Sequence, residues 1–416
     1  MSEILQPVLG LCVLLFLAWA VSEARSRWRW RLVLAGLAIQ IGLAALALNV
    51  PFIGEAVGAV NALVLALDEA TRAGTSLVFG YLGGGALPFD ESYPGAAFVL
   101  AFRALPLVLV MSALSAVLWH WGILPRIIAG LAWVLRRGLG IGGPIGLGAA
   151  ANVLVGMIEA ALLVRPHIAT MSRADLFAMM TCGLTTIAGT VLVLYATILG
   201  AAIPNGAGHL LVASLISAPA ALVVARIMVP VYEDEPTAVE SDATSPHAGT
   251  MDAIVTGITD GLRLLLNIVA TLIVFVALVA LANQIIGILP EVGGAALSLE
   301  RLLGWLLAPL AWLIGIPWSE AMVAGGLIGT KIVLNELIAY LQLAGLPEGA
   351  LSERSRVILL YALCSFANFG SVGITVAGMV SMAPQRRAEI VGLGMKALLA
   401  GSIATMMTGA VVALLI

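Results

Sequence analysis

The 416-residue sequence predicts an all-α polytopic membrane protein, with eight transmembrane helices, two re-entrant helical hairpins, interfacial helices and inverted repeats. Hydrophobic residues make up 61% of the chain and charged residues 10%, and the mean hydropathy is +1.10. Charged residues are about a quarter of an average soluble protein, so most of this surface must face lipid. Eight apolar segments are long enough to cross a bilayer, and two further apolar regions are broken in the middle.

Each predicted span has about 20 predominantly apolar residues, the number needed to cross the hydrocarbon core. The segments 56–72 and 123–138 are instead amphipathic, which predicts helices that lie along the membrane interfaces. The first span has no positive residue before it and no clear cleavage site, so we interpret it as retained. The spans are residues 4–22, 31–50, 97–120, 174–201, 207–231, 254–286, 356–382 and 389–416.

Arginines predict the orientation of these spans. Arg25, Arg27, Arg29 and Arg31 follow the first span, and the positive-inside tendency places that loop in the cytoplasm. If each span crosses the membrane once, the loops after the third, fifth and seventh spans are also cytoplasmic. These loops hold further basic residues and, after the fifth span, a polar tract. We therefore predict a multi-pass protein of the plasma membrane, the inner membrane of a bacterium, with both termini outside.

Two apolar regions, 143–170 and 304–345, are interrupted by Gly, Pro and acidic or amide residues, which predicts re-entrant hairpins. Backbone that is not helical is tolerated at membrane depth only where protein buries it or where it lines a cavity. Each hairpin is followed by a span with small polar residues in its middle, at Cys182–Thr190 and at Cys364–Gly373. Inverted repeats with paired broken helices are typical of secondary transporters, which bind their solute between the repeats.

Two glutamates lie within these hairpins. An ionised carboxylate at the centre of a bilayer costs about 2.5–3.5 kcal/mol on the insertion scale, so Glu159 and Glu336 are candidate binding residues. The alternative is a structural role, in which Glu159 pairs with Arg165 and Glu336 with Lys331. Acids within membrane segments usually mark a functional site, which favours the first interpretation.

Neutral polar side chains accompany the predicted helix breaks. Asn152 and Thr186 offer two oxygen ligands beside backbone carbonyls that a broken helix leaves free, a set that suits a monovalent cation such as sodium. Asn368 and Ser371 offer donors and acceptors that suit a polyhydroxylated ligand together with Glu336. Each of these residues, taken singly, also fits an ordinary role in helix packing.

Several classes of protein are excluded. The sequence has no HExxH, GxSxG or Walker motif and only four histidines, so it does not indicate an enzyme or an ATP-driven pump. A net charge of −3 without a basic cluster argues against nucleic acid as a partner. The three cysteines are widely separated within apolar segments and predict neither a disulfide framework nor a zinc site.

Four segments, in order along the chain, carry a resemblance to a known family. They are N-x-x-x-G-x-x-E-A at Asn152–Ala160, TTIAGTVL at Thr185–Leu192, NELIAYLQL at Asn335–Leu343 and FANFGSVGI at Phe366–Ile374. With these motifs, residues 95–416 strongly resemble the concentrative nucleoside transporter family. The resemblance implies a homotrimer whose protomers each have eight transmembrane helices and two re-entrant hairpins, with a transport domain that moves against a trimerisation scaffold.

The resemblance also implies roles for individual residues. The expected sodium ligands are Asn152, Thr186 and the backbone carbonyls of Val155 and Ile187. The expected solute contacts are Glu159 with its neighbours Met157 and Ile158 for the nucleobase, Glu336, Asn368 and Ser371 for the ribose hydroxyls, and Val191 and Phe366 for apolar surface.

The same resemblance divides the chain into a scaffold and a transport domain. The expected segments are 1–142 with the N-terminal spans, interfacial helices and part of the scaffold, 143–231 with the first hairpin and transport-domain helices, 232–250 as a cytoplasmic linker, 251–303 with a scaffold helix and a periplasmic loop, and 304–416 with the second hairpin and the remaining transport-domain helices.

This sequence departs from the family pattern in the expected base pocket. The family usually has Gln-Thr or Gln-Ser where Met157 and Ile158 stand, Ser at Gly370 and Pro at Ala161. A buried polar group of a ligand that loses its partner costs about 1–3 kcal/mol. The sequence therefore predicts a retained sugar and cation site beside a more apolar or differently shaped base pocket.

We expect a symporter that imports nucleosides together with sodium by alternating access, without an organic cofactor. Three alternatives stay open. The coupling ion could be a proton, carried by a buried glutamate. The solute could be a nucleoside-like or other polar molecule, or the protein could bind its ligand without transporting it. A channel is disfavoured because two closed hairpins around a polar midplane suit occlusion better than a continuous pore.

Overall fold

The structure is a computed structural model that describes residues 4–27, 29–49, 51–91, 97–200, 203–231, 247–294 and 296–416. Most of the linker predicted at 232–250 lies outside the described residues. Elsewhere the regular elements are α-helices, with short 3-10 helices at Arg25–Arg27, Gly80–Gly83 and Pro384–Arg386. The prediction of an all-α fold is confirmed for the part of the chain that is described.

Twelve helices precede the linker and seven follow it within the described ranges. The first group is α1 (Leu5–Ala20), α2 (Trp30–Asn49), α3 (Pro51–Phe79), α4 (Leu100–Arg103), α5 (Leu107–His120), α6 (Ile123–Leu139), α7 (Gly143–Asn152), α8 (Met157–Leu163), α9 (Arg165–Ile168), α10 (Arg173–Thr185), α11 (Gly189–Leu199) and α12 (Gly206–Met228). The second group is α13 (Thr250–Ile286), α14 (Leu299–Leu313), α15 (Trp318–Val333), α16 (Glu336–Ala344), α17 (Glu353–Leu363), α18 (Phe369–Met382) and α19 (Arg387–Ala413).

Among the described residues, six helical segments are long and apolar enough to cross a membrane. They are Trp30–Asn49, Leu100–His120, Arg173–Leu199, Gly206–Met228, Thr250–Ile286 and Pro384–Ala413. The pair α14 and α15 passes the same test but is bent by 117°. The predicted spans 4–22 and 356–382 correspond to α1 and to the broken pair α17 and α18. By this measure α1 and α18 are apolar but too short to cross a membrane alone. Eight crossings therefore stay a prediction.

The second predicted hairpin begins later than the sequence indicated. The predicted range 304–345 includes the end of α14, whereas the hairpin itself consists of α15 and α16. Apolar residues continue through the bend, so hydropathy does not mark it. The bend depends on Gly315, whose φ of +108° is a conformation that other residues avoid. A Cβ there would also lie 2.6 Å from the Cβ of Ala413.

The order of elements repeats along the chain. An amphipathic helix, a two-limbed hairpin, a broken helix and a long buried helix occur first as α6, α7–α8, α10–α11 and α12, and again as α14, α15–α16, α17–α18 and α19. The two units interleave, because α11 contacts α16 and α18 contacts α8. The second limb of each hairpin therefore packs against the broken helix of the other unit, which brings the breaks of both units together.

The helices α5 and α13 form a pair at the side of this core. Their backbones approach closely at two glycines of α13. A Cβ at Gly257 would lie 2.6 Å from the Cα of Ala113, and a Cβ at Gly261 would lie 2.9 Å from the Cβ of Ser112. The apolar central part of α13 is otherwise exposed in the protomer. A long apolar helix with this exposure must face lipid or another protein surface.

A network of charged side chains joins α1, α10 and α19 at one end of the bundle. Glu23 accepts hydrogen bonds from Arg173 at 2.9 Å and from Lys396 at 2.7 Å. Arg173 also lies 3.6 Å from Glu389, which pairs with Arg386 at 2.7 Å. The guanidinium of Arg173 is the main cause that lowers the pKa of Glu23 from 4.5 to about 2, with a further contribution from Lys396 against the effect of burial.

We expect Glu23→Gln to lower the unfolding temperature at pH 7. A carboxyl group with a depressed pKa stabilises the folded state above its ordinary pKa of 4.5, and this contribution is lost as the pH falls towards about 2. Because the site is solvent-accessible, the expected loss is about 1 kcal/mol. Unfolding curves at pH 7 and at pH 3 test this, with Glu348→Gln on an exposed loop as the matched control. A difference from wild type that is the same at both pH values would contradict the assignment.

Candidate functional site

The side chain of Glu336 lies at the first position of α16, directly after the break that separates the limbs of the second hairpin. Only 4% of the residue is exposed. Its Oε1 accepts a hydrogen bond from the hydroxyl of Tyr195 at 2.6 Å, and its Oε2 accepts one from Nδ2 of Asn368 at 3.0 Å. The donors come from α11 of the first unit and from the start of α18 in the second, so the carboxylate joins both repeats.

Asparagine side chains restart the helices after both breaks of the second unit. Asn335 caps α16, because its Oδ1 accepts a hydrogen bond from the amide of Ile338 at 2.9 Å. Asn368 caps α18 in the same way, with the amide of Ser371 at 2.7 Å. Such caps satisfy amide groups that a break would leave without partners inside the membrane. They also fix the Asn368 amide that holds Glu336.

The predicted structural pairing of Glu336 with Lys331 is not a direct contact. Lys331 lies in the last turn of α15 and is 1% exposed, but its ammonium donates to Oγ1 of Thr405 on α19 at 3.3 Å. No ion pair within 4.0 Å joins Lys331 and Glu336, both of which are described. The carboxylate is therefore held by neutral donors and keeps lone pairs for a ligand.

The predicted cation ligands lie at the two breaks of the first unit. Asn152 ends α7 and is 1% exposed, and its Nδ2 donates to the carbonyl of Gly148 at 3.0 Å. Its Oδ1 is buried without a hydrogen-bond partner among the described residues. A buried carbonyl oxygen without a partner is costly, unless a ligand such as a cation or a water satisfies it.

The break in α10 and α11 lies against the break in the first hairpin. The amide of Gly189 donates to the carbonyl of Leu154 at 3.1 Å, which ties the two irregular segments together. Thr186 directly follows α10, and its hydroxyl donates to the carbonyl of Cys182 at 3.1 Å, so the hydroxyl oxygen keeps lone pairs for a cation. Val155 and Ile187 lie within these breaks, outside the helices. The donor set is one of neutral oxygens and fits a monovalent cation.

Met157 and Ile158 start α8 and both contact α18. The sulfur of Met157 accepts a hydrogen bond from Oγ1 of Thr375 at 3.1 Å. A Cβ at Gly378 would lie 2.3 Å from Cδ1 of Ile158, so that side chain packs directly on the backbone of α18. Ile158, one of the departures from the family pattern, therefore has a packing role that its position in the sequence did not reveal.

Glu159 follows in the first turn of α8 and is exposed in the protomer. Its carboxylate folds over the preceding glycine, since a Cβ at Gly156 would lie 2.2 Å from Oε2 of Glu159. Only glycine leaves room for this arrangement. No ion pair within 4.0 Å joins Glu159 to Arg165, the structural partner that the sequence suggested, and both residues are described.

The apolar candidates occupy neighbouring helices. Val191 lies in the first turn of α11 and is 4% exposed, and Phe366 is half-buried in the break before α18. Sequence reasoning missed two residues of this region. Tyr195 lies one turn after Val191, and Phe275 of α13 reaches the start of α18, where a Cβ at Gly370 would lie 3.5 Å from its ring. Residues four apart lie on the same face of a helix, so the spacing from Val191 to Tyr195 could have indicated that Tyr195 faces the same site.

Family models match almost the whole chain in three parts. Residues 9–82 match the N-terminus of the Na⁺-dependent nucleoside transporters, residues 101–202 a domain described as nucleoside recognition, and residues 209–413 the C-terminus of the Na⁺-dependent nucleoside transporters.

Relatives of similar length extend the likeness to the full chain. An uncharacterized transporter of Haemophilus influenzae is 38% identical over 425 residues, which cover 100% of this chain and 98% of the relative. Nucleoside permease NupC of Helicobacter pylori is 34% identical over 415 residues, 98% of this chain and 97% of the relative. The fold is similar to that of CNTnw in an inward-facing substrate-bound state, with 36% identity, a TM-score of 0.91 and complete coverage of both chains.

Proposed function

Because this chain belongs to the concentrative nucleoside transporter family, we propose that it is a symporter that imports nucleosides together with sodium by alternating access. The members of this family are transporters rather than enzymes, and the chain is a multi-pass membrane protein. CNTnw, which it resembles, has been solved in an inward-facing state and, as a variant, in an outward-facing state at a TM-score of 0.90.

One observation carries the proposal. The buried carboxylate of Glu336 is held by hydroxyl and amide donors from both repeats, at the place where the interrupted helices meet. A carboxylate with remaining lone pairs binds vicinal hydroxyl groups well, as ribose presents them. In this proposal Glu336, Asn368 and Ser371 bind the sugar, Val191 and Phe366 cover its apolar face, and Met157, Ile158 and Glu159 border the base.

The proposed coupling site uses the oxygens of the first unit. Asn152, Thr186 and the carbonyls of Val155 and Ile187 would hold sodium, and the buried Oδ1 of Asn152 supports this assignment because it has no partner among the described residues. Both breaks that supply these ligands belong to elements that contact α18 or the second hairpin. Occupation of the cation site would therefore order the backbone beside the solute.

The proposal includes an assembly and an orientation. The exposed apolar face of α13, paired with α5, supports a scaffold through which protomers form a homotrimer, while the hairpins and broken helices form the moving transport domain. In this proposal the segments that begin at 143, 232, 251 and 304 keep the roles predicted from the sequence, with the scaffold in the segments that hold α5 and α13. We place the protein in the plasma membrane with both termini outside.

Uptake of labelled uridine and adenosine into proteoliposomes tests the function. The expected result is accumulation that requires an inward sodium gradient. Accumulation driven by a proton gradient alone would show that the coupling ion is a proton rather than sodium. If folded protein accumulates neither nucleoside, the solute is another polar molecule. Counterflow separates transport from binding alone, because a protein that only binds its ligand shows no exchange across the membrane.

We expect Met157→Gln to increase the uptake of uridine. The sulfur of Met157 already lies within hydrogen-bonding distance of Thr375, so the position is accessible to a polar partner, and an amide there would add a donor for the base. One added hydrogen bond of about 0.5–1.5 kcal/mol corresponds to a KM lower by roughly two- to tenfold. Met157→Leu is the matched control, since it keeps the volume without a donor. Equal KM values for both variants would contradict this placement of the base.

A further inference from the structure

A cavity of about 210 Å³ lies where the ends of α2, α6, α10 and α12 meet. None of its lining residues belongs to the proposed solute or cation site. Pockets for drug-sized ligands usually have about 300–1,000 Å³, so this cavity suits a small group such as phosphate better than a nucleoside. We call it the arginine cavity, after Arg27, Arg29 and Arg226 in its lining.

The charge of the arginine cavity favours an anion. Three arginines and one acidic residue, Asp175, line the cavity within the described part of the chain, and Asp175 pairs with Arg226. Arginine presents a planar fork of donors that matches the oxygens of a phosphate group.

Arg226 supplies an observation that is independent of charge. Its side chain is 10% exposed and forms an ion pair with Asp175 through Nη2. Its Nη1 is buried and has no hydrogen-bond partner among the described residues, although the side chain lines the cavity. A buried guanidinium donor without a partner carries a desolvation cost, which an anion in the cavity would remove.

The location of the cavity narrows the class of anion. Its lining combines residues that follow the first span, the end of α6 and the end of α12, all of which the arginine pattern places on the cytoplasmic side. Basic pockets between transmembrane helices on that side bind the head groups of anionic lipids. Soluble phosphates are available in the same compartment.

We propose that the arginine cavity binds a phosphate ester, either the head group of an anionic phospholipid or a soluble phosphate. The ligand connects the segment before α2, the link between α6 and the first hairpin, and the end of α12. Its binding therefore stabilises the folded protein, whatever solute is carried.

The test uses the purified, delipidated full chain in detergent. The unfolding temperature is followed while dioctanoyl phosphatidylglycerol, dioctanoyl phosphatidylcholine or inorganic phosphate is added at constant ionic strength. The first variant is the double change Arg27→Gln with Arg29→Gln, at exposed positions, and the second is Arg226→Gln. The matched control is Arg25→Gln with Arg31→Gln, which removes the same charge from neighbouring positions that do not line the cavity.

We expect saturable stabilisation of the wild-type protein, with a half-saturating concentration that rises about tenfold or more in both cavity variants and less than about threefold in the control. A response to phosphatidylglycerol but not to phosphate identifies a lipid head group, and the converse identifies a soluble phosphate. The proposal is overturned if neither ligand stabilises the protein, if phosphatidylcholine acts as well as phosphatidylglycerol, or if the cavity variants respond like wild type.

Discussion

Glu336→Gln is expected to abolish nucleoside uptake while leaving the protein folded. The carboxylate accepts one hydrogen bond from Tyr195 and one from Asn368 and offers its remaining lone pairs to the ribose hydroxyls. The glutamine amide replaces one acceptor oxygen by a donor and removes the charge. Each hydrogen bond to a charged group contributes about 1.5–3 kcal/mol, so the loss of two lowers kcat/KM roughly a hundredfold or more.

Stability should respond differently from transport. Removing a buried charge lowers the desolvation cost of folding, so we expect an unfolding temperature close to that of wild type. The measurement is initial uptake of labelled uridine into proteoliposomes, with the unfolding temperature determined on the same preparations. Glu353→Gln, at the exposed start of α17, is the matched control. Wild-type uptake by Glu336→Gln would remove this residue from the proposed site.

Tyr195→Phe separates the positioning of the carboxylate from its binding. The variant keeps the charge of Glu336 but removes the hydroxyl that holds its Oε1 at 2.6 Å. The expected loss in kcat/KM is about tenfold, smaller than for Glu336→Gln, because the carboxylate still reaches the ribose but is held by the Asn368 amide alone. A loss as large as that of Glu336→Gln would mean that Tyr195 itself binds the solute.

The sequence was informative wherever a polar residue interrupts an apolar segment. Asn152, Glu336 and Asn368 stand out because each is costly at membrane depth, and the structure places all three at helix breaks. The family resemblance is confirmed by the matching family models and by relatives of the same length. The roles of the individual site residues stay a prediction until variants are measured.

Contacts between the two repeats could not be predicted from the sequence. Tyr195 and Glu336 are 141 residues apart and meet only because the units interleave. A tyrosine within an apolar helix resembles ordinary packing, so its partner could not be predicted. The packing role of Ile158 could not be predicted either, because its contact with Gly378 depends on how α8 lies against α18. The bend at Gly315 was missed because apolar residues continue on both sides of it.

Asn152→Leu is expected to weaken the binding of sodium, so that uptake requires a much higher sodium concentration than in wild type. The change deletes the buried Oδ1 that has no partner among the described residues and keeps a side chain of similar size. Replacing an unsatisfied buried oxygen by an apolar group costs little folding stability. The loss of one ligand, at about 1–3 kcal/mol, raises the half-saturating sodium concentration roughly five- to 150-fold.

The measurement is uridine uptake as a function of sodium concentration at constant ionic strength. Counterflow, the exchange of labelled for unlabelled uridine across the membrane, is measured with sodium as the added cation. Asn267→Leu makes the same substitution on the exposed surface of α13 and should keep the sodium dependence of wild type. Counterflow should persist in Asn152→Leu at high uridine concentration, because the residues that hold Glu336 are unchanged. If Asn152→Leu responds to sodium like wild type, Asn152 is not a sodium ligand. If uptake by the wild-type protein follows a proton gradient instead of a sodium gradient, the coupling ion is a proton and a buried glutamate carries it.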